Sequence, residues 1–219
     1  HQSQVDLLTP LVKSYASDES FRLCAVAIQV FGGAGFLKDW PVEQYLRDSK
    51  IFSIYEGTNH IQAMDLVGRK LGQNGGANFQ TFMSDIATFV EKHKNHPVFG
   101  KEVDALGSAS EAVVSTAMGF MGWSQSEKVT LVPLSANRFL EMMAKTTVGF
   151  LLLDAGVRAE EALAKLGKDA ADRAFYEGKR YSALFYGRNV LPQVKQLAEL
   201  VTFEDTSPVD ISDAAFASF

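Results

Sequence analysis

An all-α fold is what this sequence predicts, and three observations predict it. Apolar residues recur at helical spacing in one segment after another, as in Phe79, Phe82, Met83, Ile86 and Val90. No run of useful length alternates apolar with polar residues as a half-buried strand would. Glycine and proline fall mainly between the periodic stretches, at Gly32-Gly33, Pro41, Gly72, Gly75-Gly76, Pro97 and Pro133.

Taken in order, Thr9-Pro10 reads as a helix start, with threonine as cap and proline at the first helical position. That helix is expected to reach about Phe31, to bury a stripe of Leu11, Tyr15, Leu23, Val26, Ala27 and Val30, and to stop at Gly32-Gly33. A short helix should run from Pro41 to about Lys50, with Asp39 as a cap candidate and Tyr45 and Leu46 facing inward. Ile51 to Tyr55 then joins it to a helix capped by Thr58 or Asn59 and carrying Ile61, Met64, Leu66, Val67 and Leu71. Residues 1–72 are read as one unit and residues 73–77 as a linker.

Residues 78–205 are expected to form a second helical bundle. Its helices should run from Asn78 to about Lys94, from Gly100 to Gly122, from Pro133 to about Leu166, and from about Asp169 onward with a break at Pro192. The stretch from Phe139 to Val157 is apolar on nearly all sides, so it should be the buried centre. Residues 206–219 read as an irregular tail.

The bulk properties narrow the function. A net charge of −5 and a pI near 5.4 argue against nucleic acid or an anionic membrane as partner. The longest apolar run, Val148 to Leu153, is closed by Asp154 and falls far short of the ~20 residues a bilayer requires. Cys24 is the single cysteine, which excludes an internal disulfide and fits a reducing, cytoplasmic setting. The chain opens on His1, close to a helix, and is expected to be a piece of a longer product.

Residues 29–62 concentrate the chemistry. Glu56 lies beside Gly57 at the start of a helix, a junction that can aim a carboxylate into a cavity. Burial among Phe52, Ile54 and Tyr55 would raise its pKa by desolvating the charged form, as suits a general base. Its backbone N–H could donate to a developing oxyanion. The competing structural role is a carboxylate capping the helix that follows. Gln29 with Gly32-Gly33-Ala34-Gly35 could bind an anion through backbone amides, or could simply end a helix. His93 and His96 are three apart near Glu91; a solvated helix end is expected there, and no metal site, which would need further ligands. Arg138 with Glu141 reads as a surface pair, and Asp154 with Arg158 as an intrahelical one.

The segments QVFGGAGF, KDWPVEQYLRD and IYEGTNHIQ, in this order and spacing, closely resemble the C-terminal helical domain of flavin-dependent acyl-CoA dehydrogenases. IQAMDLVGRKL followed by a further helical domain is similar to a subgroup that includes 3-methylmercaptopropionyl-CoA dehydrogenases. The resemblance implies that Glu56 abstracts the α-proton of an acyl-CoA thioester while a hydride leaves the β-carbon for FAD, giving a trans-2-enoyl-CoA. It implies that Gln29, Gly33, Thr58 and His60 contact FAD, the first two across a dimer interface, and that Gly57 lies against the substrate. It makes Arg47-Asp48 a structural charge pair. His60 departs from the Glu or Gln common at its place. Implied partners are an acyl-CoA, an electron-transferring flavoprotein and a second copy of the chain. The chain alone is expected to be inactive, and the alternative reading is a non-catalytic scaffold or dimerisation module.

Overall fold

The computed structural model describes residues 2–217, which are helical with no strand among them. They divide into two compact units between Gln80 and Thr81.

The first unit is organised on α1 (Gln2–Phe31), which packs with α2 (Gly33–Phe36), α3 (Val42–Lys50) and α4 (Asn59–Asp65). α1 begins eight residues before the expected start, and Pro10 lies inside it. The proline costs a backbone donor, but Pro10 is buried, and the Thr9 hydroxyl donates to the Val5 carbonyl at 2.7 Å. The face α1 buries is Leu7, Pro10, Leu11, Ser14 and Ser17, none of them beyond its middle turn. Leu23, Val26 and Val30 were expected inside and are instead exposed, Val30 by 80%. In α3, Tyr45 likewise points outward, Ser49 takes the buried place, and Pro41 rather than Asp39 holds the cap position. Helical spacing alone shows that an apolar stripe exists, not what covers it.

α4 continues through a π-helical turn, Leu66–Lys70, closed by the Leu71 amide on the Leu66 carbonyl at 3.0 Å. A 3₁₀ turn, Gln73–Gly76, follows, with Asn74 and Gly75 left-handed (φ 55° and 66°). Leu66 and Ala63 are fully buried.

The second unit holds α5 (Ala77–His93, from Thr81 onward), α6 (Gly100–Ser124), α7 (Leu131–Leu163), α8 (Arg173–Asn189) and α9 (Gln193–Thr202). α7 is its centre: it packs against α6, α8 and α9, and its buried side chains include Phe139, Met142, Met143 and Leu153. Phe120 meets Phe139 edge-on at 5.1 Å, and Phe89 meets Phe150 at 5.3 Å. Glycines set the closest approaches. A Cβ on Gly156 would lie 2.8 Å from both Ala183 Cβ and Phe99 Cζ. Pro192 separates α8 from α9, with Leu191 buried at the break.

Polar groups tie the bundle together. Buried Glu102 accepts from Arg188 Nε at 2.5 Å, and Arg180 grips Glu160 with two nitrogens. Glu141, expected to pair with Arg138, pairs instead with buried Lys145, which also donates to Gln193 at 2.8 Å. Arg158 pairs with Asp154 at 2.9 Å. Within residues 206–217 the tail forms two one-turn helices, α10 (Ser207–Asp210) and α11 (Asp213–Phe216), where an irregular chain was expected. Pro208 suits a first turn, and Ser212 caps α11 by accepting from the Ala215 amide. Residues 218 and 219 of that expected tail lie outside the described residues.

Candidate functional site

The site lies in the first unit, where the chain passes from the 3₁₀ turn Ile51–Ser53 to α4. Two consecutive residues here are left-handed, Glu56 (φ 51°) and Gly57 (φ 84°). Glycine takes this conformation without penalty; for Glu56 it costs of order 1–3 kcal/mol. Thr58 returns the chain to an extended conformation and caps α4, its hydroxyl oxygen accepting from the Ile61 amide at 3.3 Å. The cap is therefore Thr58, and the Glu56 carboxylate is not used for it.

Glu56 lines a cleft of about 360 Å³ with Lys13, Ala16, Ser17, Ser20, Phe52 and Tyr55. The enclosure expected from Phe52, Ile54 and Tyr55 is absent: Glu56 is exposed, and these three side chains are themselves 43%, 53% and 48% exposed. Phe52 and Tyr55 form one wall of the cleft, their ring centroids 6.4 Å apart. The wall is open because the apolar rings project away from the unit's small core, which Leu7, Leu11, Ala63 and Leu66 make up. The Glu56 N–H donates to no described residue.

A polar network anchors this turn to α1. Lys13 Nζ donates to the Gly57 carbonyl at 2.6 Å and to Asn59 Oδ1 at 3.0 Å. Ser17 Oγ donates to the same Asn59 oxygen at 3.1 Å. Asn59 Nδ2 donates to Asp18 at 2.7 Å and to the Ser14 carbonyl at 3.3 Å. Sequence reading missed Lys13 and Ser17 altogether and saw Asn59 only as a possible cap. The signal was faint: Lys13 and Ser17 are one helical turn apart, and their partners lie more than forty residues away.

The glycine turn supplies a second group of residues. Gly32 is left-handed (φ 63°), and a Cβ on Gly35 would lie 2.6 Å from Phe31 Cβ, so folding explains both. Gly33 has neither reason: its φ is ordinary and a Cβ would meet nothing within 4 Å. Its surface is clear for a group from outside the chain. Gln29 is exposed beside it, and its side-chain amide makes no hydrogen bond among the described residues. Thr58 keeps a hydroxyl proton to donate, and His60 is exposed in the first turn of α4. The Gln29 amide, the bare Gly33 backbone and the Thr58 hydroxyl are groups that could meet the polar atoms of a dinucleotide such as FAD.

Gly57 is required by its own backbone, and a Cβ there would face Gln62 Nε2 at 3.1 Å. Arg47 and Asp48 do not pair; Arg47 lines a separate shallow cleft with Glu43, Lys50 and Ile54. His93 and His96 have ring centroids 6.3 Å apart, and His96 Nδ1 accepts from the Val98 and Phe99 amides, at 3.2 Å each, at the entry to α6. Among the described residues no three His, Cys, Asp or Glu groups gather as a metal site, and no helix is long and apolar enough to cross a membrane.

Two sequence families match the chain in tandem. Residues 1–71 match "Acyl-CoA dehydrogenase, C-terminal domain", and residues 82–212 match "Acetyl-CoA dehydrogenase C-terminal like". A butyryl-CoA dehydrogenase of Syntrophomonas wolfei is 36% identical over 94% of this chain and 33% of its own length. The 3-methylmercaptopropionyl-CoA dehydrogenase of Ruegeria pomeroyi is 27% identical over 87% of this chain and 32% of its own. The chain thus spans about a third of the length of these curated relatives. In fold it is similar to a crystal structure of an acyl-CoA dehydrogenase complexed with FAD from Bacillus anthracis, with a TM-score of 0.57, 16% identity, and 98% of this chain and 34% of that one covered.

Proposed function

The chain belongs to the acyl-CoA dehydrogenase family, as its C-terminal part with the additional helical domain, and from that premise we propose that it supplies Glu56 as the base in α,β-dehydrogenation of an acyl-CoA thioester to a trans-2-enoyl-CoA. The observation that carries this reading is the Glu56–Gly57 turn: a carboxylate in a left-handed conformation, spared from helix capping and set at the edge of a cleft. Strain of this kind persists where the surroundings over-determine it, which suits a group held for chemistry.

In this mechanism the Glu56 carboxylate takes the α-proton of the thioester. The Glu56 N–H, unused among the described residues, donates to the thioester oxygen as negative charge develops there. Gly57 presents bare backbone to the acyl group beside it. Gln29, the Gly33 backbone, the Thr58 hydroxyl and His60 would hold FAD, which when bound supplies the acceptor for the β-hydrogen as hydride. Removing water from around Glu56 would strengthen it as a base. Phe52, Ile54 and Tyr55 do not do this alone, so other parts of the assembled enzyme must cover them. The isolated 219 residues are therefore expected to be inactive. Exposed Val26, Val30, Phe36 and Trp40 give the first unit apolar surface for a second copy, and electrons would pass on to an electron-transferring flavoprotein.

The test uses the protein with its upstream sequence, loaded with FAD. Anaerobic addition of butyryl-CoA and other acyl-CoAs should bleach the flavin absorbance of the wild type and leave Glu56→Gln unbleached. Equal bleaching in both would put the base elsewhere. No bleaching with any thioester would favour the scaffold reading.

A further inference from the structure

Resting on the reading of Glu56 as the base, we propose that Lys13 is a positioning residue for it: Lys13 clamps the Gly57 carbonyl to α1 and so fixes the left-handed turn from which the Glu56 carboxylate projects.

The turn needs such a clamp. The Tyr55 amide closes on the Ile51 carbonyl before it, and the Gln62 amide closes on the Thr58 carbonyl after it. Glu56 and Gly57 lie between these two closures, outside both helical elements. Lys13 reaches into this gap from the well-buried first half of α1, where Leu7, Leu11 and Ser14 hold its helix in place. An ammonium donating to a carbonyl at 2.6 Å is a charge-assisted hydrogen bond, of the stronger kind.

A second contact sets the register. Lys13 also donates to Asn59, the first residue of α4, and Asn59 is itself held by Ser17, Asp18 and the Ser14 carbonyl. One ammonium therefore joins the turn, the start of α4 and α1. Lys13 lines the same cleft as Glu56 but makes no ion pair with its carboxylate. Its cation is spent on the backbone, leaving the carboxylate to act on the substrate.

The experiment uses the FAD-loaded protein with its upstream sequence and compares wild type, Lys13→Met, Lys13→Arg and Glu56→Gln. Methionine keeps the apolar stem and removes the donors; arginine restores a donor. Two readouts are taken: the first-order flavin bleaching constant against the dissociation constant for butyryl-CoA, and hydrogen exchange of the segment spanning residues 54–62. Displacement of a reacting group by about 1 Å can cost about a hundredfold in rate, so Lys13→Met should bleach about ten- to a hundredfold more slowly. Butyryl-CoA affinity should hold, Lys13→Arg should recover much of the rate, and exchange at residues 56–61 should rise about tenfold in Lys13→Met as the turn opens locally.

Normal bleaching or unchanged exchange in Lys13→Met, with Glu56→Gln inactive, would overturn this inference and leave the base reading standing. Wild-type bleaching in Glu56→Gln would remove the base reading and this inference with it. If Lys13→Met does not fold, Ser17→Ala carries the test by removing one support of Asn59: faster exchange and slower bleaching support the clamp, and no change in either overturns it.

Discussion

The two units spend their apolar residues in opposite ways. Among the described residues of the first, four hydrophobic side chains are buried and fifteen large ones are exposed; in the second, twenty-seven are buried and thirteen large ones exposed. The second unit is organised around α7 and holds a large buried core. The first has a core limited to Leu7, Leu11, Ala63 and Leu66, and it displays Val30, Phe36 and Ile54. Each unit carries a left-handed glutamate, but Glu204 of the second is held by Lys128 and Trp123, whereas the Glu56 carboxylate of the first has no ion-pair partner among the described residues. The lesson is that the unit with the site is built to be completed by other surfaces, and the unit without it is built to stand alone.

The sharpest way to break this comparison is to separate the units. Residues 81–219 alone should show a helical circular dichroism spectrum and a cooperative thermal transition. Residues 1–80 alone should show no cooperative transition and should bind a hydrophobic dye, because so small a core cannot offset the entropy of ordering the chain. Matching cooperative transitions in both fragments would sink the idea.

The next effect sharpens the same contrast inside the second unit. Phe139 is fully buried on α7 and meets the ring of Phe120. Phe139→Ala should destabilise the bundle by about 3–5 kcal/mol in urea unfolding of the 81–219 fragment. A loss under about 1 kcal/mol would mean that the centre of the bundle is loosely packed.

The two units also differ in how far their sequence could be read. The long helices of the second unit were legible because their apolar faces are buried within the unit itself, so the 3.6-residue period and the core coincide at Phe82, Met83 and Ile86. In the first unit the same period misled: Leu23, Val26 and Val30 form a stripe that nothing within the unit covers. Pro10 looked like a helix start because its position within α1 depends on tertiary packing that propensity does not encode. At the site, the place of Glu56 before a capped helix was legible, since Thr58 and Gly57 are local signals. Lys13 and Asn59 were not, because their pairing joins residues 46 positions apart and leaves no local pattern.

A smaller effect probes the local signal that was legible. Thr58→Ala removes the side-chain acceptor for the Ile61 amide and should cost about 1 kcal/mol of local stability. Faster hydrogen exchange at residues 59–62, with exchange in α7 unchanged, is the expected result. An equal change in α7 would show that the two units share one cooperative transition.

The smallest effect depends on pH and belongs to the self-sufficient unit. Burial holds the His93 imidazole below its ordinary pKa, helped by the nearby charges of Lys92 and His96 and opposed by Asp154 and Glu161. The ring lies against Phe89, centroids 4.6 Å apart and tilted by 42°, and this contact is part of its burial. A depressed folded pKa means that the unfolded chain binds the proton first as pH falls. Stability from His93 is thus fully present above its unfolded pKa of about 6.5 and is lost as pH falls through the lower folded value. The melting temperature of residues 81–219 should therefore drop more steeply below pH 6.5 in the wild type than in His93→Gln, which cannot titrate. Parallel pH profiles would show that the ring is solvated in both states, and that the edge of α5 is looser than the centre of the bundle it covers.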